Sequence, residues 1–279
     1  MTSSTTASIH PTAQVHETAT IHPSAEIGEG AIIEQGVIVG PGCAVGARTH
    51  IRMRAMIVEN VTMGEENDIH PYAVIGGDPQ DRAFDGSVRG TVEIGSRNVL
   101  REYVTINRST GTGRATSLGD DNFMMTQAHI AHNAKLGSRT TMANGASLAG
   151  HSTVGDGCVL SAFVGIHQFT VVSDMIMFRA HSGASMHVPP YVVVVGHNII
   201  SGLNRVGLER NPAFTDEDRT QIKQLYRTLY RERGGRSLDE AIANVRDQAY
   251  GEPAERFLKF IEDAIKLEKP YERGIIRQR

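Results

Sequence analysis

The chain has 279 residues, a net charge of −3, no Trp and only 5% aromatic residues. This composition excludes a core built from large rings, and the charge balance excludes the basic footprint of a nucleic-acid-binding protein. No apolar stretch is long enough to span a bilayer, and the start, MTSSTTASIHPTAQ, lacks the basic and apolar regions of a signal peptide. We therefore expect a cytoplasmic protein without a membrane span.

An aliphatic residue or Met recurs every six positions along most of the chain. The series breaks within GGDPQDRAFDGSVRGTVE and within NRSTGTGRATS, and it resumes after each break. A period of six is typical of a parallel β-helix, in which three hexads form a triangular coil around inward-pointing side chains. We predict a parallel β-helix over residues 1–200, with loop insertions near 76–91 and 107–117; the pattern does not give its handedness. The predicted inward residues are Ile9, Val15, Ile21, Ile27, Ile33, Val39, Val45, Ile51, Ile57, Met63, Ile69, Ile75, Ile94, Leu100, Ile106, Leu118, Met124, Ile130, Leu136, Met142, Leu148, Val154, Leu160, Ile166, Val172 and Phe178.

Glycine often follows the aliphatic residue of a hexad, as in IGEGAI and VGPGCA. Glycine tolerates a positive φ angle, so we expect these positions at tight corners of the coil.

The segment TQAHIAHNAKLG places two histidines around one predicted core residue. If Ile130 points inward, His129 and His132 lie on the outer surface or at a corner. Eighteen-residue stacking places His132 below Gly150 and Gln168. We therefore predict a polar cluster on one face of the coil, formed by His132, His151, His167 and Gln168.

The carboxy-terminal region, residues 201–279, is predicted to form a helical domain that covers the last coil. Thr215 and Ser237 are followed by acidic residues typical of helix starts, and Pro253 suits the first turn of a third helix. That third helix should carry Phe257, Phe260, Ile261 and Ile265 on one face. The run KQLYRTLYRERGGR is basic, which indicates either a solvated helix face or a docking site for an acidic partner.

The hexads together with AHIAHN, LAGH, GIHQF and HVPPYVVVVGHN resemble the UDP-N-acetylglucosamine O-acyltransferase family. The resemblance covers nearly the whole length and implies a left-handed β-helix. It further implies a homotrimer with active sites between subunits and an acyl donor carried on acyl carrier protein, which is strongly acidic. The acceptor would be a UDP-sugar, the reaction the first step of lipid A biosynthesis, and no metal or cofactor would be needed.

The resemblance also implies roles for individual residues. His132 matches the general base, the Gly150 N–H matches the oxyanion donor, and Asn133 follows the base. The chemistry agrees, because a sugar hydroxyl needs a base near neutral pH and a tetrahedral intermediate needs a donor at its oxygen. The matching substrate-binding residues are Asp81, His129, His151, His167, Gln168, Asn204 and Arg210, the last two for the nucleotide, and the acyl-length region contains Phe178, Arg179 and Ala180.

Five positions depart from the family pattern, and one of them is Ala180, which stands in the acyl-length region where a Gly is common. Asn133 stands where an Asp is usual, and Asn107 stands where a His is often found. Val206 and Asn211 replace the usual Glu and second Arg near the nucleotide. An amide oxygen still orients an imidazole, but it stabilises an imidazolium less than a carboxylate does.

Three alternative functions remain open at this point. One is N-acylation of a nucleotide-linked amino sugar, since an amine asks less of the base than a hydroxyl does. A second is a zinc enzyme of the carbonic-anhydrase type, which requires three imidazoles around one metal. The third is an inert binding or scaffolding trimer.

Overall fold

The computed structural model describes residues 7–111 and 114–278. Most of the chain winds into three sheets of very short parallel strands, one on each side of a triangular prism. Sheet 1 contains β1 (Ser8–Ile9), β4 (Glu26–Ile27), β7 (Ala44–Val45), β10 (Val61–Met63), β13 (Val92–Ile94), β16 (Thr116–Leu118), β19 (Lys135–Leu136), β22 (Thr153–Val154) and β25 (Val171–Val172). Sheet 2 contains β2 (Gln14–Val15), β5 (Ile32–Ile33), β8 (His50–Ile51), β11 (Asp68–Ile69), β14 (Val99–Leu100), β17 (Phe123–Met124), β20 (Thr141–Met142), β23 (Val159–Leu160), β26 (Met177–Phe178), β28 (Val192–Val195), β29 (Ile199–Leu203) and β30 (Arg277–Gln278). Sheet 3 contains β3 (Thr20–Ile21), β6 (Ile38–Val39), β9 (Met56–Ile57), β12 (Val74–Gly77), β15 (Thr105–Asn107), β18 (His129–Ile130), β21 (Ser147–Leu148), β24 (Gly165–Ile166) and β27 (Gly183–Ala184). The predicted fold class, a left-handed parallel β-helix followed by helices, is confirmed.

The six-residue register is confirmed for all but the first coil. Every predicted inward residue from Ile27 to Phe178 is buried. Ile9, however, is 42% exposed, and Val15 and Ile21 are only partly buried. These three residues belong to the first coil that the structure describes, and their strands pair only with strands of the following coil.

A second inward set, which the aliphatic period did not reveal, lies four residues after each aliphatic position. It consists mostly of small residues such as Ala31 and Ala55, but it includes buried Asn67, Asn98 and Asn122. The Nδ2 groups of Asn98 and Asn122 each donate to the Oδ1 of the asparagine one coil earlier, at 3.0 Å. This ladder satisfies amides that would otherwise destabilise an apolar prism.

The glycine that follows the aliphatic residue has a different role from the one expected. A β-carbon on Gly40 would lie 1.8 Å from the carbonyl oxygen of Val58 on the next coil, so close backbone approach requires glycine there. The positive φ angle falls two residues later, at Gly42 (φ 65°).

Both interruptions of the repeat leave the prism at the corner between sheets 3 and 1. Residues 78–91 connect β12 to β13, and the second interruption connects β15 to β16. The two insertions therefore leave the prism at the same corner, on adjacent coils.

The carboxy-terminal part contains four α-helices and a short π-helix. Thr215 and Ser237 form the predicted capping boxes, and Pro253 lies in the first turn of the last helix. The first helix was not predicted, and Ile265 is 36% exposed and not on the buried face. The helices are α1 (Arg205–Arg210), α2 (Asp216–Tyr226), the π-helix (Arg227–Arg231), α3 (Leu238–Arg246) and α4 (Glu252–Ala264).

The end of sheet 2 is covered by strands as well as helices. The antiparallel strand β29 pairs with β28, and β30 from the carboxy terminus pairs with β29. Because β29 spans 199–203, the sheet continues across the division proposed at residue 200, and that division stays a prediction. No helix in the described parts of the chain has the length and apolar character needed to cross a membrane.

Candidate active site

A groove of about 550 Å³ crosses sheet 3 and ends at the corner between sheets 3 and 1. Strand β18 and the corner after it provide His129 and His132. The corners of the next two coils provide the other predicted polar groups. The predicted residues that line the groove are His129, His132, Gly150, His167 and Gln168. His151 lies beside His132, with ring centroids 5.3 Å apart in an edge-to-face arrangement.

The imidazole of His132 is oriented by its neighbour in sequence. His132 Nδ1 lies 3.0 Å from Asn133 Oδ1, which also accepts bonds from the N–H and the hydroxyl of Thr110 at 3.1 and 2.9 Å. Because an amide oxygen is only an acceptor, Nδ1 carries the proton and Nε2 keeps its lone pair. Asn133 is buried with φ 60°, a left-handed conformation that asparagine tolerates. The arrangement leaves a basic nitrogen at the groove.

Gly150 lies directly against the imidazole on the adjacent coil. A β-carbon at this position would lie 2.6 Å from Cε1 and 2.7 Å from Nε2 of His132. The neighbouring His151 N–H donates to His132 O at 3.1 Å, and Ala149 N–H donates to Ile166 O at 2.9 Å. Among the described residues, the Gly150 N–H has no acceptor. It is therefore available to a ligand atom beside His132.

Burial favours the neutral form of two further histidines near His132. Burial lowers the pKa of His129, whose Nδ1 lies 2.7 Å from the Thr105 hydroxyl. The pKa of His151 is also lowered, first by burial and then by the proximity of His132 and Arg114. Neutral imidazoles both donate and accept hydrogen bonds, which suits contact with an uncharged polar group of a ligand.

The first insertion is anchored beside the groove by a buried arginine. Arg108 is 6% exposed, lies over the Phe84 ring, and reaches Glu59 at 3.1 Å and Asp78 at 2.6 Å. Asn107 supports the same loop, since its Nδ2 donates to the Asp78 carbonyl at 2.7 Å. The loop is thereby held over the corner that carries His132.

This loop places Gln80 in the lining of the groove. The next residue, Asp81, is exposed, and its charge acts on His151. Asp81 Oδ1 accepts the Ala83 N–H at 2.9 Å, which fixes the turn.

The predicted nucleotide residues lie elsewhere on the same chain. Arg210 lines a second cavity, of about 470 Å³, at the corner between sheets 1 and 2, together with Asn211. Asn204 caps α1 by accepting the Gly207 N–H at 3.1 Å and donates to the Met175 carbonyl at 2.9 Å. Val206 is 55% exposed. Within one chain, the structure does not bring these residues to His132.

Of the predicted acyl-length residues, only two are accessible. Phe178 is fully buried inside the prism, so its side chain cannot contact an acyl chain on the surface, and that assignment is corrected. Arg179 and Ala180 are exposed at the corner between sheets 2 and 3, and their role stays a prediction.

The site contains residues that the sequence reasoning did not identify. Thr105 is aligned with His129 across the sheet, but the second insertion makes their separation 24 residues instead of 18. Thr110 lies inside that insertion, where no repeat places it. The other groove residues that were missed include Gln80, Ala131, Ser147, Ala149, Gly165, Ala184 and His197.

The arrangement of side chains gives no support to the zinc alternative. Within residues 7–111 and 114–278, no three His, Cys, Asp or Glu side chains converge closely enough to hold a metal ion.

The chain is similar in sequence to proteins of one enzyme family. A protein from Verminephrobacter eiseniae, named acyl-[acyl-carrier-protein]--UDP-N-acetylglucosamine O-acyltransferase, is 40% identical over 63% of this chain and 68% of its own length. A protein of the same name from Stenotrophomonas maltophilia is 39% identical over 72% of this chain and 76% of its own. The chain belongs to the UDP-N-acetylglucosamine O-acyltransferase family.

Two further similarities concern the carboxy-terminal part of this acyltransferase and its whole fold. The family model described as UDP N-acetylglucosamine O-acyltransferase, domain 2, matches residues 187–276 of this acyltransferase. The solved UDP-N-acetylglucosamine acyltransferase from Campylobacter jejuni superposes with a TM-score of 0.85 at 30% identity, over 95% of this chain and all of the other. The family resemblance seen in the sequence motifs is confirmed.

Proposed function

We propose that this acyltransferase moves a 3-hydroxyacyl chain from acyl carrier protein to the 3-hydroxyl of UDP-N-acetylglucosamine, with His132 as the general base. The names of the relatives support the reaction. The observation that supports the assignment of the base is the approach of Gly150 to His132. A glycine whose N–H has no acceptor among the described residues packs against Cε1 and Nε2 of the imidazole. The reaction would begin lipid A biosynthesis, and a cytoplasmic location stays a prediction.

The geometry supports a two-step acyl transfer. His132 Nε2 takes the proton of the sugar hydroxyl while its oxygen attacks the thioester carbonyl carbon. The carbonyl oxygen becomes an oxyanion that accepts the Gly150 N–H, an interaction typically worth ~3 kcal/mol in such sites. The tetrahedral intermediate then expels the pantetheine thiolate, which takes the proton from the His132 imidazolium.

The hydrogen bond to Asn133 fixes the tautomer that this mechanism requires. With the Nδ1 proton donated to Asn133 Oδ1, the lone pair is on Nε2. His129, His167, Gln168 and Gln80 line the same groove and are assigned to positioning the substrates.

The positions of the two cavities support a trimeric enzyme. His132 lies at the corner between sheets 3 and 1, whereas Arg210 lies at the corner between sheets 1 and 2. A site formed between adjacent subunits would bring the first corner of one chain to the second corner of the next. We propose that Asn204 and Arg210 bind the nucleotide in the neighbouring subunit's site.

Mixed oligomers test this arrangement sharply. Neither His132→Ala nor Arg210→Ala should be active alone at low UDP-sugar concentration. Subunits of the two variants, mixed in equal amounts and assembled at random, should recover about a quarter of the wild-type activity. In such a mixture one site in four combines an intact His132 with an intact Arg210 from the next subunit. No recovery, with mixed trimers demonstrated by mass, would contradict shared sites.

Acyl carrier protein is the proposed donor, and the basic helical segment is its proposed docking surface. Lys223, Arg231 and Arg236 are exposed along this segment, while Arg227 is paired with Glu232 at 2.6 Å. Lys223→Glu combined with Arg231→Glu should raise KM for the acyl carrier protein thioester and leave KM for the UDP-sugar unchanged. An equal change in both KM values would argue against docking there.

One observation favours a second acceptor, the 3-amino analogue of the sugar. Asn133 gives His132 an uncharged partner, which stabilises an imidazolium less than a carboxylate does, and an amine needs less help from a base. Assays with both sugars and a panel of acyl carrier protein thioesters show which sugar is the acceptor. Turnover of the hydroxyl sugar supports O-acylation, whereas turnover of only the amine makes the enzyme an N-acyltransferase.

A further inference from the structure

A tyrosine from the carboxy-terminal tail lies behind the catalytic histidine, and no motif of the sequence analysis pointed to it. We infer that Tyr271 is a positioning residue that holds the His132 imidazole in its reactive orientation. The inference rests on the proposed role of His132 as the base.

The first connection is a chain of four packed rings. The Tyr271 ring meets Phe169 edge-to-face, with centroids 5.5 Å apart and planes at 82°. Phe169 stacks on His151 at 4.9 Å and 19°. His151 in turn meets His132 edge-to-face at 5.3 Å and 84°. Each contact has the geometry that aromatic pairs favour, so the tyrosine limits the rotation of the rings in front of it.

The second connection runs through the partner of His132 Nδ1. Arg114 Nη1 donates to the Tyr271 hydroxyl at 3.4 Å, and the Arg114 carbonyl accepts Asn133 Nδ2 at 3.3 Å. Tyr271 therefore contacts residues on both routes to the imidazole, one through Asn133 and one through His151.

Tyr271 is itself held in place by a buried histidine. His187 is fully buried, and its Nδ1 accepts the Val171 N–H at 3.0 Å. The proton must then be on Nε2, which donates to the Tyr271 carbonyl at 2.7 Å. The Ile276 N–H also donates to the His187 carbonyl at 2.9 Å. These bonds fix the backbone of a segment close to the end of the chain.

The Phe169 ring has further support from the same tail. The Arg273 guanidinium lies over this ring, 5.8 Å from its centroid. Arg273 N–H also donates to the Tyr271 carbonyl at 2.8 Å. Tyr271 and Arg273 are therefore joined to each other, and both contact the Phe169 ring.

The test compares three variants at the tail, each measured with both substrates over a range of pH. Tyr271→Ala removes the ring, Tyr271→Phe keeps the ring and loses the hydroxyl, and Glu272→Ala changes an exposed neighbour as a control. We expect Tyr271→Ala to lower kcat by about 10- to 100-fold, the effect of misplacing a catalytic group by a fraction of an ångström to an ångström. KM for both substrates should change less than about threefold, and Phe should recover most of kcat.

The pH–rate profile separates positioning from a loss of folded protein. In Tyr271→Ala the acid limb should move to lower pH, because a misplaced imidazole loses its bond to Asn133 Oδ1. If the Ala variant does not fold, Tyr271→Leu keeps apolar bulk without a ring and replaces it. An unchanged kcat, or a fall that matches the loss of folded trimer with an unchanged profile, would overturn the inference.

A parallel His132→Ala sample distinguishes this failure from a failure of the proposed function. An inactive His132→Ala beside a fully active Tyr271→Ala overturns only the role of Tyr271. An active His132→Ala removes both the base and the inference built on it.

Discussion

Gly150 and His132 approach each other so closely that a β-carbon on Gly150 would lie 2.6 Å from Cε1 of the imidazole. Their coils are adjacent in the prism, and His151 N–H donates to His132 O across the same step. The histidine and the glycine N–H therefore form one unit, in which any side chain at position 150 displaces the imidazole.

Gly150→Ala should lower kcat by about 100-fold or more, since the methyl group pushes the imidazole away and disturbs the N–H that we propose as the oxyanion donor. The fold should survive, because the φ angle at this position is not left-handed. Gly202→Ala is a matched control, as a β-carbon there meets no atom within 4 Å. A Gly150→Ala enzyme with kcat near the wild type would show that position 150 is not part of the reacting unit. Steady-state kinetics with the acyl carrier protein thioester measure both variants.

Asn133→Asp should increase turnover of the hydroxyl sugar several-fold and move the acid limb of the pH–rate profile to higher pH. A carboxylate at this position still accepts His132 Nδ1–H and both Thr110 donors, and its charge stabilises the imidazolium. The change loses the weak bond from Nδ2 to the Arg114 carbonyl at 3.3 Å, so a small loss of thermal stability is expected. Slower turnover with an unchanged profile would mean that the amide is optimal for this enzyme's acceptor.

Two adjacent residues of β23 test the register of the prism. Leu160 is fully buried and Val159 is 39% exposed, so the two side chains point to opposite faces of one strand. Leu160→Asp buries an unpaired charge and should prevent folding, as should Ile130→Asp, whereas Val159→Asp should give soluble, folded protein. Circular dichroism and the yield of soluble protein measure the difference. Two stable variants, or two unfolded ones, would contradict the register.

The stability of the protein should fall as the pH drops below about 6.5. Burial lowers the pKa of His187, His129 and His151 below the ordinary value of 6.5. Below that pH the unfolded chain binds protons that the native state does not, so the free energy of unfolding decreases by at most about 1.4 kcal/mol per pH unit for each histidine.

His187→Gln should make this dependence shallower between pH 7.5 and 5.5. At pH 7.5 the variant should be less stable by about 1–3 kcal/mol, because a glutamine amide does not reproduce the ring geometry that bonds the Val171 N–H and the Tyr271 carbonyl at the same time. His10→Gln, at an exposed histidine, should leave the slope unchanged. Denaturant titrations at fixed protein concentration give both quantities, and an equal slope in His187→Gln and the wild type would contradict the assignment.

Most of the fold follows from the sequence because the prism is built by one local rule. A period of six places an aliphatic residue inward at every step, and the buried series from Ile27 to Phe178 obeys it. The rule assumes a neighbouring coil on each side, so it fails at Ile9. The period of six also does not predict the second inward position, four residues after each aliphatic one. There the ladder of Asn67, Asn98 and Asn122 depends on side-chain hydrogen bonds between coils.

The site was predictable only where it follows the same repeat. Eighteen-residue stacking placed His132, Gly150 and Gln168 on one corner, as the structure has them. Thr110 and Gln80 come from the insertions, whose paths no period determines. Tyr271 reaches the site from the carboxy-terminal tail, and the long-range contacts that place it have no local pattern.

The most direct test of the account is the turnover of His132→Ala with UDP-N-acetylglucosamine and an acyl carrier protein thioester. His129→Ala, at a second histidine of the same groove, is measured beside it, and calorimetry measures UDP-sugar binding to both. If His132 is the general base, its removal lowers kcat by about 10²- to 10⁴-fold, with the proposed trimer and the binding constant retained, while His129→Ala loses far less. A His132→Ala enzyme with kcat within tenfold of the wild type would contradict the central claim.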